Sequence, residues 1–284
     1  MTSNRLRWRK SVNAVMLTLT GVFTLFTVSI LFLILGYLVY FGSRSLDWNF
    51  FTKLPLPPGE GGGGLVNAIL GSLEIVGVAA VLGLPVGFLA GVYLAEFEDK
   101  WFGPMVRYVA DLLNGIPSIV VGLLAWALVV VPTRRFSALA GSIALSVMLV
   151  PIVTRQTEQF LREVPNSLRE GALALGASQW RAIATVVVPA GSKGILTGMI
   201  LGLARISGES APLLFTAFNN QFWNGSITQP TASLPVMIYF RAISAYDDWH
   251  RQAWAAGLVL IGMVLTANIL ARLVLAKGVS VPRG

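Results

Sequence analysis

Glu170-Gly171-Ala172-Leu173-Ala174-Leu175-Gly176, with the run that ends at Val188-Pro189, occupies the longest charged interruption between the apolar stretches of this chain. Pro165 ends whatever helix precedes it. Ser167 stands three residues before Glu170, the capping-box spacing, which sets a helix start near Leu168. Leu168, Ala172 and Leu175 then fall on one face and Arg169 on another. Gly176 supplies the backbone freedom of a helix end, and Ser178 is placed to cap a second helix that stops before Pro189. Two capped helices with an apolar stripe are more than a linker needs. Such a knob suits a membrane chain that is pushed by a soluble partner, with its motor elsewhere.

Composition sets the class around that knob. The chain has 284 residues, 55% hydrophobic and 12% charged, with mean hydropathy +0.72. A soluble domain of this size carries roughly 25% charged residues, so this chain cannot cover a water-facing surface. The absence of cysteine excludes disulfides, thiolate zinc sites and thiol catalysis. The net charge of +8 is spread through short loops, which reads as positive-inside topology and not as a nucleic-acid surface.

Apolar runs give six spans, near Val15–Phe41, Asn67–Leu94, Ile116–Val131, Ser137–Val153, Ile195–Ala217 and Trp254–Ala276. The first follows the basic cluster Arg5, Arg7, Arg9 and Lys10, and is too long for a cleaved signal, so it reads as an uncleaved anchor. With the N-terminus inside, the cytoplasmic segments hold 14 Lys and Arg residues against 6 outside, which favours two cytoplasmic termini. Trp8, Trp48, Trp101, Trp249 and Trp254 lie near span boundaries, where indoles prefer the headgroup level. The expectation is an all-α polytopic membrane protein with six transmembrane helices and a cytoplasmic coupling-helix loop. Its organisation would be a tail (1–14), an anchor span (15–41), a transmembrane domain (65–276) with the loop at 155–193, and a C-terminal tail (277–284).

The first outer loop carries Pro55, Pro57, Pro58 and the run Gly59 to Gly64, interrupted by Glu60, a flexible hinge. A nucleotide cradle needs Gly-Lys-Ser/Thr before a helix, and the chain has no Gly-Lys pair. Its one histidine, His250, lies beside Asp247 and Asp248 and reads as a solvated loop residue.

Arg205 lies about ten residues into the fifth span, with Glu209 four residues beyond. An arginine or aspartate at the membrane centre costs roughly 2.5–3.5 kcal/mol, so such groups face protein, water or each other. Two readings follow: an i,i+4 ion pair that neutralises itself, or a passage site where Arg205 offers planar donors to an oxyanion and Glu209 tempers its grip. Glu74, about eight residues into the second span, is a weaker candidate for the same path.

The knob resembles the coupling loop of binding-protein-dependent ATP-binding-cassette permeases, whose consensus is Glu-Ala-Ala, three residues, Gly, nine residues, Ile-x-Leu-Pro. Glu170, Ala172, Gly176 and Pro189 fall in register; Gly171, Val186 and Val188 depart conservatively. The run Ala204-Arg205-Ile206-Ser207-Gly208-Glu209-Ser210-Ala211-Pro212 resembles the fifth span of PstA-like phosphate permease subunits. Asn67 to Ser72, Tyr93 to Glu96 and Gly115 to Val120 match in kind. The resemblance implies a non-enzymatic permease subunit of an importer for inorganic phosphate, or for a related oxyanion such as sulfate, molybdate or phosphonate. It implies no cofactor or metal in this chain. It implies a second permease (PstC-like), an ATPase dimer (PstB-like) and an extracytoplasmic phosphate-binding protein (PstS-like). The site residues it assigns are Arg205 and Glu209 for passage, with Glu170, Gly171, Ala172, Gly176 and Pro189 for ATPase coupling; Glu74 departs from the apolar residue of the family pattern and is a weak passage candidate from its place in the span alone. An ion-coupled carrier using Glu74, Arg205 and Glu209 is the rival reading.

Overall fold

The computed structural model describes residues 3–57, 59–60, 62–97, 102–223 and 225–278. Lys100, Trp101, Arg283 and residues 279–284 of the tail expected at 277–284 lie outside them. In hydrocarbon a backbone must satisfy its own N–H and C=O groups, which leaves apolar stretches of this length helical. Among the described residues every regular element is a helix. We label them α1 (Ser3–Ser43), α2 (Trp48–Thr52), α3 (Val66–Glu96), α4 (Phe102–Gly115), α5 (Ser118–Thr133), α6 (Ala138–Arg162), α7 (Asn166–Ala174), α8 (Gln179–Ser207), α9 (Ala211–Thr216), α10 (Leu234–Ala242) and α11 (Asp247–Gly278).

Five of these, α1, α3, α6, α8 and α11, are each long and apolar enough to cross a bilayer. Helices α4 and α5 bend by 104° at Ile116-Pro117, and counting that pair as one crossing gives six. Helix α6 is the hub, held on two sides by helices that approach through glycine. On α3, a Cβ at Gly87 would stand 2.8 Å from the Val150 carbonyl, and one at Gly91 2.5 Å from Thr157 Cβ. On α8, a Cβ at Gly198 would stand 2.6 Å from Gln156 Cβ. Small residues let backbones come this close, and packing of that kind drives helix association in lipid. Ile75, Leu145, Leu149, Val153, Ile206 and Leu213 fill the core between them. Helix α1 stands apart: it is exposed along nearly its whole length and packs on α11, with Phe41 stacked on Trp254 at 5.8 Å.

The structure corrects several sequence expectations. Helix α1 begins at Ser3 and runs through the basic cluster, so described residues 3–14 are helical and continuous with the anchor span. The fourth span continues to Arg162, past the expected end at Val153. Helix α8 does not stop before Pro189. The segment Ile183–Val187 widens into a π turn, with the Val188 N–H on the Ile183 carbonyl five residues back. A wider turn accommodates a ring that has no N–H and would crowd the carbonyl four residues earlier. The same device precedes Pro132 in α5, where the Val131 N–H reaches the Trp126 carbonyl. The fifth span ends at Ser207; Gly208 caps it, and the residues expected to extend it to Ala217 form the separate α9.

Smaller departures have equally local causes. Helix α7 starts at Asn166, two residues closer to Pro165 than the capping box would set it. Pro165 takes the cap position itself with ψ 139°, and its carbonyl receives the Leu168 N–H at 3.1 Å. Ser167 is then inside the first turn and caps nothing. The glycine run is a packed turn at its end and no hinge there: a Cβ at Gly64 would be 2.2 Å from the Asn49 carbonyl. His250 lies on α11, with Nε2 2.7 Å from the Ser244 carbonyl oxygen.

Candidate functional site

The knob itself is α7, its glycine turn and the start of α8. Gly176, at φ +84°, forms a Schellman end. Its N–H donates to the Leu173 carbonyl at 2.9 Å, and the Ala177 N–H to the Ala172 carbonyl at 3.1 Å. Ser178 holds the extended cap position of α8 but makes no side-chain cap bond. Gly171 has open space where a Cβ would sit, so the alanine usual in the motif would fit without any shift. No residue of α7 is buried. Glu170 faces solvent, Leu175 is 91% exposed and Trp180 67% exposed. The apolar stripe read from the sequence therefore does not pack on the body of this chain.

What ties α7 to the body is Arg169. It pairs with Glu96 at the end of α3 at 2.9 Å, and also donates to the Val164 and Leu161 carbonyls at 2.6 and 2.7 Å. The Glu96 side chain is only 7% exposed, which strengthens the charge-assisted contact. Phe97 meets the Trp180 ring at 6.1 Å. A force on α7 therefore reaches α3, α6 and α8 together.

Beside the knob lies a second charged group. On α6, Glu158 is 5% exposed and receives Arg107 of α4 at 2.6 Å, Arg155 at 2.8 Å and Arg162 at 3.1 Å. Arg155 also pairs with Asp111 of α4 through two nitrogens. Arg107, Arg155, Glu158, Gln159 and Arg162 line an open cleft of about 510 Å³. Sequence reading did not find Asp111, Glu158 or Arg107 as partners. The signal available was Arg155, Glu158 and Arg162 at i, i+3 and i+7, one face of a helix that the reading ended too early, at Val153.

At the opposite end of α8, Arg205 is exposed and Glu209 is half-buried in the break between α8 and α9. Among the described residues neither makes an ion pair, so the self-neutralising pair is not formed. The helix ends between them, and the i,i+4 register that would join them is not continued. Glu74, half-buried two turns into α3, is not paired with Arg205. Sequence reading also missed Arg241 on α10. It is 2% exposed, its Nε and Nη1 have no hydrogen-bond partner among the described residues, and its guanidinium lies 5.2 Å from the Trp249 ring centre. Burial pushes it down to about 10, so it is still cationic at neutral pH.

Residues 83–277 match the family model described as "Binding-protein-dependent transport system inner membrane component". The chain is 45% identical to the phosphate transport system permease protein PstA of Yersinia pestis, over 95% of this chain and 92% of that protein. It is 44% identical to PstA of Haemophilus influenzae, covering 95% of each. Among solved structures, a bacterial alginate ABC transporter in complex with its alginate-bound periplasmic protein matches at TM-score 0.63. That match covers 87% of this chain and 91% of the other at 15% identity, a likeness of fold alone. A multi-pass chain, helical throughout its regular described elements, with an exposed helical knob and these relatives leads to one conclusion: it is a PstA-like member of the binding-protein-dependent transport system inner membrane component family.

Proposed function

We propose that this chain is one half of the translocation pathway of an ATP-driven importer for inorganic phosphate. The observation that carries this is Arg205, an exposed cation with no ion pair among the described residues, two residues from the end of α8, the helix that starts in the coupling knob. PstA relatives are phosphate permeases by name, and a guanidinium presents planar donors suited to a tetrahedral oxyanion. Both termini lie in the cytoplasm, consistent with the excess of Lys and Arg in the tail and in the loop that holds the knob. A PstC-like permease completes the pathway, a PstB-like ATPase dimer seats the knob, and a PstS-like protein delivers phosphate from outside. Closure of the ATPases moves Glu170, Gly171, Ala172 and Gly176 with α7. Arg169 and the continuous α8, with Pro189 inside it, pass that motion to α3, α6 and the far end of α8. Access to Arg205 then changes sides. Glu209 keeps the anion loosely held, and Glu74 contributes to the path from α3. Tight binding here would slow release; capture belongs to the binding protein.

Reconstituting the four-component transporter and measuring labelled phosphate uptake tests the cargo. Uptake should require ATP and the binding protein and should resist competition by sulfate, molybdate and phosphonate. Strong competition by one of those anions would reassign the cargo. Uptake by this chain alone, driven by an ion gradient, would replace the reading with a secondary carrier.

A further inference from the structure

Helix α4 turns an apolar stripe away from the rest of the chain. Met105, Val109 and Leu112 stand at i, i+4 and i+7, and Ile116 continues their line past the helix end; all four are exposed. Tyr108 flanks them, also exposed. The opposite side of α4 faces the protein. Gly103 and Ala110 are buried there, the Arg107 guanidinium reaches Glu158 of α6 at 2.6 Å, and Asp111 receives Arg155 through two nitrogens. Apolar side chains gathered in one stripe mark a surface that something covers.

The shape of that surface selects the cover. Exposed apolar residues continue through the bend onto α5, at Ile119, Val120 and Leu123. Helix α5 carries no charged residue, whereas α4 carries Arg107 and Asp111, so α5 is the limb suited to the hydrocarbon core. With α5 upright, α4 is turned 104° from it and lies close to the plane of the membrane. One apolar band that runs in that plane and then turns inward matches the surface and the core of a bilayer together. A straight helix of another chain would cover only one limb. The Tyr108 ring, apolar with a polar tip, suits the headgroup level. The leaflet is the one on the knob side, because Arg155 and Glu158 lie toward the end of α6 that leads into α7.

We propose that α4 is an in-plane membrane-surface helix of that leaflet. Met105, Val109, Leu112 and Ile116 sink below the phospholipid headgroups, and the Arg107–Glu158 and Asp111–Arg155 pairs tie the end of α6 to that depth. The knob, joined to the same end of α6, is then pushed against a support fixed in the membrane. This placement does not depend on which anion is carried.

The chain has no cysteine, so Met105→Cys, Val109→Cys and Leu112→Cys each take a single spin label. The labelled transporter, assembled with cysteine-free partner subunits, is placed in phosphatidylcholine nanodiscs. Power saturation should find the three labels open to oxygen, shielded from a water-soluble nickel chelate, and about 5–10 Å below the phosphates. Labelled Leu124→Cys on α5 should lie deeper, and labelled Glu60→Cys in its exposed loop should be open to the chelate. Labels on α4 shielded from both reagents would mean a protein cover, and labels as open to the chelate as Glu60→Cys a wet surface; either overturns the placement. Adding Val109→Asp should bring the label of Met105→Cys within reach of the chelate, and a label that kept its depth would contradict anchoring by the stripe. Where the Val109→Asp chain fails to assemble, the depths of the three single labels decide. Failure here leaves the cargo untouched, since labelled phosphate uptake tests that separately.

Discussion

The two ends of this molecule treat charge in opposite ways. Near the knob, Arg107, Arg155, Arg162 and Arg169 are each held by a carboxylate, and Glu96 and Glu158 are almost wholly buried beneath them. Toward the far ends of α8 and α10, Arg205, Glu209 and Arg241 have no ion-pair partner among the described residues. Paired charges in a low-dielectric setting are stiff: they fix one helix to the next and transmit force. Unpaired charges are costly in a membrane protein and are found where a mobile ion, water or another chain completes them. The contrast fits the division proposed above, with mechanics at one end and passage at the other.

The comparison breaks first, if it breaks, at Arg169. Removing this arginine leaves Glu96 as an unpaired buried carboxylate, a loss of about 3 kcal/mol. Arg169→Ala should therefore lower the thermal midpoint strongly and uncouple ATP hydrolysis from uptake. The double variant Arg169→Ala/Glu96→Ala should recover part of the stability, and a cycle of the four proteins reads the coupling directly. Arg155→Ala is expected to cost less, about 1–2 kcal/mol, because that pair is partly solvated and Glu158 keeps two other arginines. Gly176→Ala should cost about 1 kcal/mol, the penalty for a side chain at positive φ, and should loosen ATPase attachment before it affects the membrane domain. Arg205→Ala is the smallest of these in stability, within about 0.5 kcal/mol, as expected of an exposed side chain with no ion pair among the described residues. A large loss of stability at Arg205 would mean that it is structural, and the contrast between the two ends would fail.

Much of this was legible in the sequence because it depends on local rules. Hydropathy gave the crossings, and the spacing from Glu170 to Gly176 gave a helix ended by a left-handed glycine. What local rules could not supply was any effect of one helix on another. The reach of α6 to Arg162 depends on Glu158 collecting arginines from α4 and from its own helix. A run that becomes charged reads as a loop until its partners are known. Pro189 and Pro132 read as helix ends because a π turn leaves no mark in composition. Gly208 is the reverse case. A single glycine in an apolar run is tolerated in membrane helices, and only the structure shows that the helix stops there and parts Arg205 from Glu209.

The most direct measurement compares ATP hydrolysis and labelled phosphate uptake in the reconstituted transporter carrying Arg205→Ala. We expect assembly with the ATPase and stimulated hydrolysis to persist, because the knob and Arg169 are untouched, while uptake falls by about a hundredfold or more, the loss of a charge-assisted contact to the anion. Uptake at the unaltered rate in that variant would contradict the assignment of the unpaired end of α8 to the passage of phosphate.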